Sequence, residues 1–275
     1  MRQRAISAAV LVPVLLIVIA IGGPVLALAV TLITAIAAIE VFRLLNGGGY
    51  APFLGLGTAF AVTIVLDAAF PEVLEGSGLL LGAIGLVLVA VASFTKADPR
   101  DGLQSWMATV FGAFYISLLS FIIRLGHVGP AVPQSAPLDL LGPERGWVLT
   151  LLLTVWAFDT GAYLVGRSIG RTPFLRHISP SKTVEGVVGG VVASTIVVGL
   201  MLWGLGQNPI HALVLGPLTA LAAQAGDLAE SVIKRTAGAK DSGTLIPGHG
   251  GMLDRVDSFI FAAPVMTLYV LAFLH

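Results

Sequence analysis

Charged side chains cluster between positions 224 and 258 of a chain that is otherwise strongly apolar. Nine of the thirty Lys, Arg, Asp and Glu residues lie within these thirty-five positions. Four polar residues with the spacing i, i+3, i+4 and i+7 share one face of a predicted helix: Asp227, Glu230, Ser231 and Lys234. Asp254, Asp257 and Ser258 repeat this geometry at the start of the next predicted helix. Two such carboxylate faces suit Mg²⁺ bound to a polyphosphate, because this ion takes oxygen ligands and keeps substrate phosphates among them.

A glycine-rich loop joins these two predicted helices. It contains Gly248, His249, Gly250 and Gly251. Because glycine lacks a Cβ atom, its backbone N–H group can approach an anion closely. We therefore expect the loop to contact substrate or phosphate through His249, Gly250 and Gly251. The alternative for His249 is an ordinary loop histidine without a catalytic role.

A second polar region precedes the helix predicted from residue 184. Asp159, Tyr163 and Arg167 follow one another at intervals of four along the preceding apolar helix, and a carboxylate in such a helix usually faces a partner or an aqueous cavity. Ser179 followed by a proline is typical of a helix N-cap and first position. Lys182 and Thr183 would then lie on the first turn, where free N–H groups and the positive end of the helix favour phosphate.

The elements that position these residues are apolar. Hydrophobic residues make up 56% of the chain, and the mean hydropathy is +0.96, which indicates an all-α, polytopic integral membrane protein. Without cysteine, disulfides and thiolate metal sites are excluded. We predict about nine transmembrane helices, near 5–22, 24–45, 51–70, 78–95, 104–125, 146–167, 184–206, 210–234 and 255–274. The first is expected to be a retained helix, since its apolar run is longer than that of a signal peptide.

The basic residues predict the orientation of these helices. With nine spans, thirteen of the fifteen Lys and Arg residues fall on one side of the membrane, and only Arg124 and Arg145 fall on the other. Because cytoplasmic loops carry the excess of Lys and Arg, the N-terminus and the polar site are predicted to face the cytoplasm from the inner (plasma) membrane. We expect one integral unit with N-terminal helices at 1–145 and a catalytic region at 146–275.

The polar motifs together resemble the signature of the phosphatidate cytidylyltransferase (CDP-diacylglycerol synthase) family. The first region matches S-x-x-K-R, K-D, P-G-H-G-G and D-R-x-D, and the second matches D-x-x-A-Y and S-P-x-K-T-x-E-G. The matching residues that could do chemistry are Ser231, Lys234, Arg235, Lys240, Asp241, His249, Gly250, Gly251, Asp254, Arg255 and Asp257, with Asp159, Ser179, Lys182 and Thr183 in the second region. Ser181 stands where many family members carry a second basic residue. The match covers about the last 120 residues.

This resemblance implies an enzyme that transfers the cytidylyl group of CTP to phosphatidic acid and releases pyrophosphate. With the helical spacing described above, this predicts as catalytic residues Asp227, Lys234, Arg235, Lys240, Asp241, Asp254 and Arg255. The implied substrate contacts are Asp159, Ser179, Lys182, Thr183, Ser231, His249, Gly250 and Gly251. Mg²⁺ would bind to Asp227 and Asp254, with Asp257 and Glu230 nearby or at a second ion. A second cation, monovalent or divalent, could join Mg²⁺, and the protein could be a homodimer. The lipid bilayer is an expected partner, whereas nucleic acid is not.

Other interpretations of these residues remain. The chain could be another CTP-dependent lipid-phosphate transferase, because no residue that reads cytosine or acyl chains is recognisable. A cation-coupled secondary transporter would place charges at the membrane midplane, whereas here they gather at one predicted face. Asp241 could simply cap a helix or pair with Lys240. Glu40 and Arg43, at i and i+3, are interpreted as a local ion pair at a helix end.

Overall fold

The computed structural model describes residues 2–74, 77–176, 178–245 and 250–274, which are mostly α-helical and contain no β-strand. A single isolated bridge joins Pro173 and Thr183. Position 249 lies outside the described residues, so the prediction for His249 stays a prediction. The α-helices are α1 (Arg2–Ile21), α2 (Gly23–Gly47), α3 (Leu54–Ala69), α4 (Pro71–Leu74), α5 (Gly78–Ser93), α6 (Pro99–Ser117), α7 (Ser120–Val128), α8 (Gly142–Ile169), α9 (Val184–Gly204), α10 (Ala212–Thr236) and α11 (Leu253–Phe273).

Six stretches of helix in the described residues are long and apolar enough to cross a membrane. They are Gly23–Gly47, Pro99–Val128, Asp139–Ile169, Val184–Gly204, Pro209–Thr236 and Leu253–Phe273. The all-α, multi-pass membrane class is therefore confirmed. The number nine is not confirmed, because the apolar part of α1 whose side chains are described is only Ala9–Ile21, and α3 and α5 have 16 residues each. Such a helix is about 24 Å long, less than the roughly 30 Å of a bilayer core.

The chain forms two compact units, each built from three separate segments. The first contains the chain up to Val18 together with Pro24–Ser120 and Val232–Val256; the second contains Ile19–Gly23, Phe121–Ser231 and Asp257–His275. The division predicted at residue 145 stays a prediction.

In the first unit, Phe42 sets the rotation of α2. Its side chain is fully buried, and glycines of two neighbouring helices lie against its ring. A Cβ atom at Gly57 of α3 would stand 2.7 Å from Phe42 Cε2, and one at Gly112 of α6 would stand 2.5 Å from Cε1. Because no Cβ fits at these distances, the two glycines are required for the ring to lie between the helices. This packing holds α2 in a fixed rotation, which decides where its polar residues point.

In the second unit, α8 and α9 pack with their backbones close together. A Cβ atom at Gly161 would stand 2.8 Å from the carbonyl oxygen of Gly189, and one at Gly190 would stand 2.6 Å from Phe158 Cδ2. Around this contact the core is formed by large side chains of both helices, including Trp147, Leu151, Val155, Val198 and Leu202. The resulting helix pair positions the polar α8–α9 loop (residues 170–183), which includes the predicted phosphate-binding residues.

Candidate active site

In the first unit, Lys234 at the end of α10 pairs with Asp254 at the start of α11. Lys234 Nζ donates to Asp254 Oδ1 at 2.8 Å, and only 15% and 8% of the two side chains are exposed. Their predicted roles differ, since Lys234 is expected to bind phosphate and Asp254 to bind a metal ion. In the structure they are partners, so the positive charge of Lys234 is held at a fixed place beside the α10–α11 loop (residues 237–252).

The other oxygen of Asp254 accepts hydrogen bonds from the loop itself. Asp254 Oδ2 accepts from Ser242 N at 2.9 Å, from Ser242 Oγ at 2.8 Å and from Gly251 N at 2.7 Å. A carboxylate oxygen offers about two lone pairs, so the amides of Ser242 and Gly251 fill Oδ2, whereas Oδ1 has Lys234 as its partner and room for one more ligand. The role of Asp254 as a Mg²⁺ ligand stays a prediction, and Oδ1 is the oxygen that could take it.

Sequence reasoning missed Glu40, which belongs to the same network. Its carboxylate accepts from Met252 N at 3.0 Å, Leu253 N at 2.7 Å and Ser242 Oγ at 3.0 Å. The interpretation of Glu40 as half of a local pair with Arg43 is therefore wrong, because Glu40 is buried against the loop whereas Arg43 is exposed. The signal available in the sequence was a carboxylate within an apolar helix, which is costly without a partner.

Glycines let the α10–α11 loop close around these two carboxylates. A Cβ atom at Gly243 would stand 2.7 Å from Glu40 Oε1, and one at Gly251 would stand 2.6 Å from Glu40 Cδ. The backbone angle φ of Gly250 is +80°, a value that residues other than glycine rarely adopt. We expected Gly250 and Gly251 to approach a substrate anion. In the structure, the anions that Gly251 approaches are carboxylates of the protein.

The remaining predicted side chains of this unit lie at its surface. Arg235, Lys240, Asp241 and Arg255 are exposed. Exposed guanidinium and ammonium groups can bind a phosphate without the cost of leaving a buried partner, and Arg can do so with two hydrogen bonds. Their predicted contacts with phosphate are compatible with this exposure and stay predictions.

In the second unit, Lys182 of the α8–α9 loop pairs with Asp227 of α10. Lys182 Nζ donates to Asp227 Oδ2, and 20% and 32% of the two side chains are exposed. Ser231, one helical turn further along α10, lies 3.5 Å from Asp227 Oδ1, at the outer limit for a hydrogen bond. The structure therefore brings Lys182 of the second polar region together with Asp227 and Ser231, which were predicted to share one face of a helix in the first region. Asp227 keeps acceptor capacity for a ligand, because its Oδ1 has only this weak contact and the side chain is partly exposed.

The helix after Lys182 begins later than predicted. Thr183, not Ser179, is the N-cap of α9, and its side chain accepts from Gly186 N at 3.2 Å. Ser179 and Lys182 lie in the turn before the helix, where Lys182 N donates to Ser179 O at 3.4 Å. The prediction that Lys182 and Thr183 occupy the first helical turn is therefore wrong.

Glu185, on the first turn of α9, holds the α8–α9 loop in place. Its carboxylate accepts from Arg171 N at 3.1 Å, from Thr172 N at 3.1 Å and from Thr172 Oγ1 at 2.8 Å. The loop strands also bond directly, because Phe174 N donates to Lys182 O at 2.8 Å. Sequence reasoning gave Glu185 no role. Its position beside the predicted N-terminus of α9, in the matched motif, was the available signal.

The other predicted residues of the second unit are Asp159, Glu230 and Asp257. Asp159 is exposed on α8, and two turns beyond it Arg167 donates to the hydroxyl of Tyr163 at 2.6 Å. Glu230 is buried in α10. Asp257 Oδ1 accepts from the amide of Ser258 at 2.7 Å, in the second turn of α11.

The described residues contain no group of three or more His, Asp or Glu side chains placed to hold a metal ion. Mg²⁺ does not need one, because it is usually held by one or two carboxylates together with substrate phosphates and water. The partly exposed carboxylate of Asp227 fits this requirement.

Comparison with known proteins decides the family. A model of the cytidylyltransferase family matches residues 2–273. The chain belongs to the cytidylyltransferase family. A relative named phosphatidate cytidylyltransferase from Synechocystis sp. is 34% identical over 293 residues, covering 99% of this chain and 97% of the relative. One from Arabidopsis thaliana, phosphatidate cytidylyltransferase 4, chloroplastic, is 39% identical over 70% of this chain and 52% of its own length. A phosphatidate cytidylyltransferase from Staphylococcus aureus is 44% identical over 127 residues, which cover 46% of this chain and 49% of the relative. The resemblance inferred from the motifs is confirmed.

Proposed function

We propose that this cytidylyltransferase makes CDP-diacylglycerol and pyrophosphate from CTP and phosphatidic acid. The observation that carries the proposal is the similarity along almost the whole chain to a relative named phosphatidate cytidylyltransferase. An oxygen of the lipid phosphate would attack the α-phosphorus of CTP in line. The new bond joins this oxygen to the α-phosphorus, and the bond to the β-phosphate oxygen breaks. At neutral pH the lipid phosphate is already ionised, so no proton has to be removed before the attack.

Electrostatics is the main task of the protein in this reaction, because both reactants are polyanions. The exposed Arg235, Lys240 and Arg255 would bind phosphates of the two substrates. Lys182, which donates to Asp227, has two further N–H donors for a phosphate oxygen. When bound, Mg²⁺ would neutralise triphosphate charge and orient the α-phosphate, with Asp227 as the proposed ligand; Asp254, Asp257 and Glu230 are further candidates.

We also propose that the protein lies in the inner (plasma) membrane and that its active site and its N-terminus face the cytoplasm. The support is the distribution of Lys and Arg along the chain and the supply of CTP in that compartment. A homodimer is a separate proposal, tested by the mass of the detergent-solubilised protein.

The deciding experiment incubates the purified protein in detergent with phosphatidate and CTP, where the CTP is radiolabelled either in its α-phosphate or in its γ-phosphate. Label in the α-phosphate should appear in a lipid that also contains phosphatidate, and label in the γ-phosphate should appear in pyrophosphate in equal amount. Diacylglycerol, which lacks the attacking phosphate, should give no product. A Lys182→Met variant should be weakened in the same assay. Transfer to a different lipid phosphate, with phosphatidate inert, would replace this function by the alternative of another CTP-dependent lipid-phosphate transferase.

A further inference from the structure

Glu40 is a buried carboxylate in α2, and the motifs of the family do not include it. Only 5% of the residue is exposed, and it lies seven residues before the end of an apolar helix. A charged group in such a place is costly unless hydrogen bonds compensate for the lost water. The donors that compensate come from residues more than 200 positions away in the sequence.

Glu40 caps the N-terminus of α11 from another helix. It accepts from the amides of Met252, the residue before α11, and Leu253, the first residue of that helix. Amides at a helix start have no acceptor within their own helix, and the helix dipole favours an anion there. The carboxylate of Glu40 therefore fixes the point at which α11 begins, directly before Asp254 and Arg255.

Glu40 also reaches the other end of the α10–α11 loop. Ser242, which follows Lys240 and Asp241, lies within hydrogen-bonding distance of both Glu40 Oε2 (3.0 Å) and Asp254 Oδ2 (2.8 Å). A hydroxyl has one proton, so it donates to one carboxylate at a time, while the amide of Ser242 donates steadily to Asp254. One network thus joins the beginning and the end of the loop.

We propose that Glu40 is a positioning residue for cytidylyl transfer, and this rests on the proposed function. By fixing Ser242 at one end of the loop and Met252 and Leu253 at the other, Glu40 sets the distance between the Lys240 side and the Arg255 side of the site. Its charge is essential, because every group that it faces in this network is a donor. Glutamine would turn an N–H₂ group towards one of those donors.

The test compares Glu40→Gln with Arg43→Gln, the same type of change one turn along α2 at an exposed position. Turnover is measured at a temperature where each variant is folded, and hydrogen exchange is followed in peptides that cover Met252 and Leu253. Glu40→Gln should lower kcat about 10-fold to 100-fold, because displacements near 1 Å can have such effects. It should also speed exchange at Met252 and Leu253, while Arg43→Gln leaves both unchanged.

Ser242→Ala supplies a second variant if Glu40→Gln folds poorly. It removes one of the three donors to Glu40 and leaves the amides of Met252 and Leu253 in place, so it should lower kcat and speed exchange less than Glu40→Gln does. A lower melting temperature with unchanged kcat would overturn the proposal, because Glu40 would then be only a cap. Equal losses in Arg43→Gln, or lost turnover with unchanged exchange, would also overturn it. If the wild-type protein did not transfer cytidylyl groups, the proposed function would fail, whereas the exchange measurement would still decide whether Glu40 holds the loop.

Discussion

Replacing Asp254 by Asn should destabilise the protein as well as inactivate it. In either orientation of the Asn side chain, its N–H₂ group faces donors. On one side lies the ammonium of Lys234, and on the other lie the amides of Ser242 and Gly251. The substitution therefore removes a charge from a mostly buried pair and leaves a donor opposite a donor.

The size of this effect follows from the burial of the pair. Hydrogen bonds to charged groups contribute about 1.5–3 kcal/mol each, and removing one partner of a buried ion pair costs about 3–5 kcal/mol. Because 8% of Asp254 and 15% of Lys234 remain exposed, we expect a loss of about 2–4 kcal/mol in the free energy of unfolding. That corresponds to a fall in melting temperature of roughly 4–16 °C.

The assay is thermal unfolding of the purified protein in detergent, with a matched control. Asp241→Asn makes the same chemical change at an exposed carboxylate of the same loop, and should alter stability by about 0.5 kcal/mol or less. Lys234→Met should make Asp254→Asn less harmful, so the double variant should be more stable than the sum of the single changes predicts by roughly 1–3 kcal/mol. An unchanged melting temperature in Asp254→Asn with turnover lost would refute the reasoning, because it would mean that the carboxylate serves a ligand instead of these donors.

Three further predictions follow from the other described residues. Asp227→Asn should lower turnover at least about a hundredfold with little change in melting temperature, since the carboxylate is partly exposed. EDTA should abolish wild-type activity, and added Mg²⁺ should restore it. Near-normal, EDTA-insensitive turnover in the variant would count against a metal role. Thr183→Ala should cost about 1 kcal/mol through loss of the α9 cap, measured by thermal unfolding, whereas Thr183→Ser should keep the stability; equal melting temperatures for both would contradict the cap. A cysteine at exposed Thr244 should react in intact cells only with membrane-permeant thiol reagents, whereas one at Ser135 should react with impermeant ones. The wild-type chain has no cysteine and is the unlabelled control. Labelling of position 244 from outside would show that the orientation is the opposite of the one proposed.

The long helices could be predicted because apolar length is a local property of the sequence. The segment predicted at 184–206 is α9, Val184–Gly204, and that predicted at 255–274 is α11, Leu253–Phe273. The number of spans could not be predicted in the same way. Helices of 16 residues such as α3 lie near the lower limit for crossing a bilayer, and neighbouring structure decides whether they cross.

The start of α9 shows how a local rule can be overridden. Ser179 before a proline satisfies the usual pattern for a helix N-terminus, and so does Thr183, three residues before the amide that it caps. The choice is made by contacts outside the pattern. Glu185 accepts from the amide and hydroxyl of Thr172, and Val184 N donates to Thr172 O at 2.9 Å, so the loop folds back before the helix can begin.

Pairings between distant residues lie beyond such patterns altogether. The motifs identified Lys182 and Asp227 separately, one for phosphate and one for metal, but the spacing of residues within a motif says nothing about a partner 45 positions away. Glu40 illustrates the same limit more strongly. Its nearest charged neighbour in sequence, Arg43, suggested a local pair, whereas its donors lie 202 to 213 positions further along the chain.

The pairing of Lys182 with Asp227 changes what loss of activity in an Asp227 variant would mean. An ammonium group has three donors and rotates freely on a flexible stem, so an unpaired Lys182 could point in many directions. Asp227 occupies one donor and orients the other two towards an arriving phosphate. Asp227→Asn would therefore lower turnover even if the carboxylate never bound Mg²⁺. The Lys182→Met variant separates the two roles. If Asp227 binds Mg²⁺, adding Asp227→Asn to Lys182→Met should lower turnover further. If the carboxylate acts only through Lys182, adding Asp227→Asn should cause no further loss of turnover.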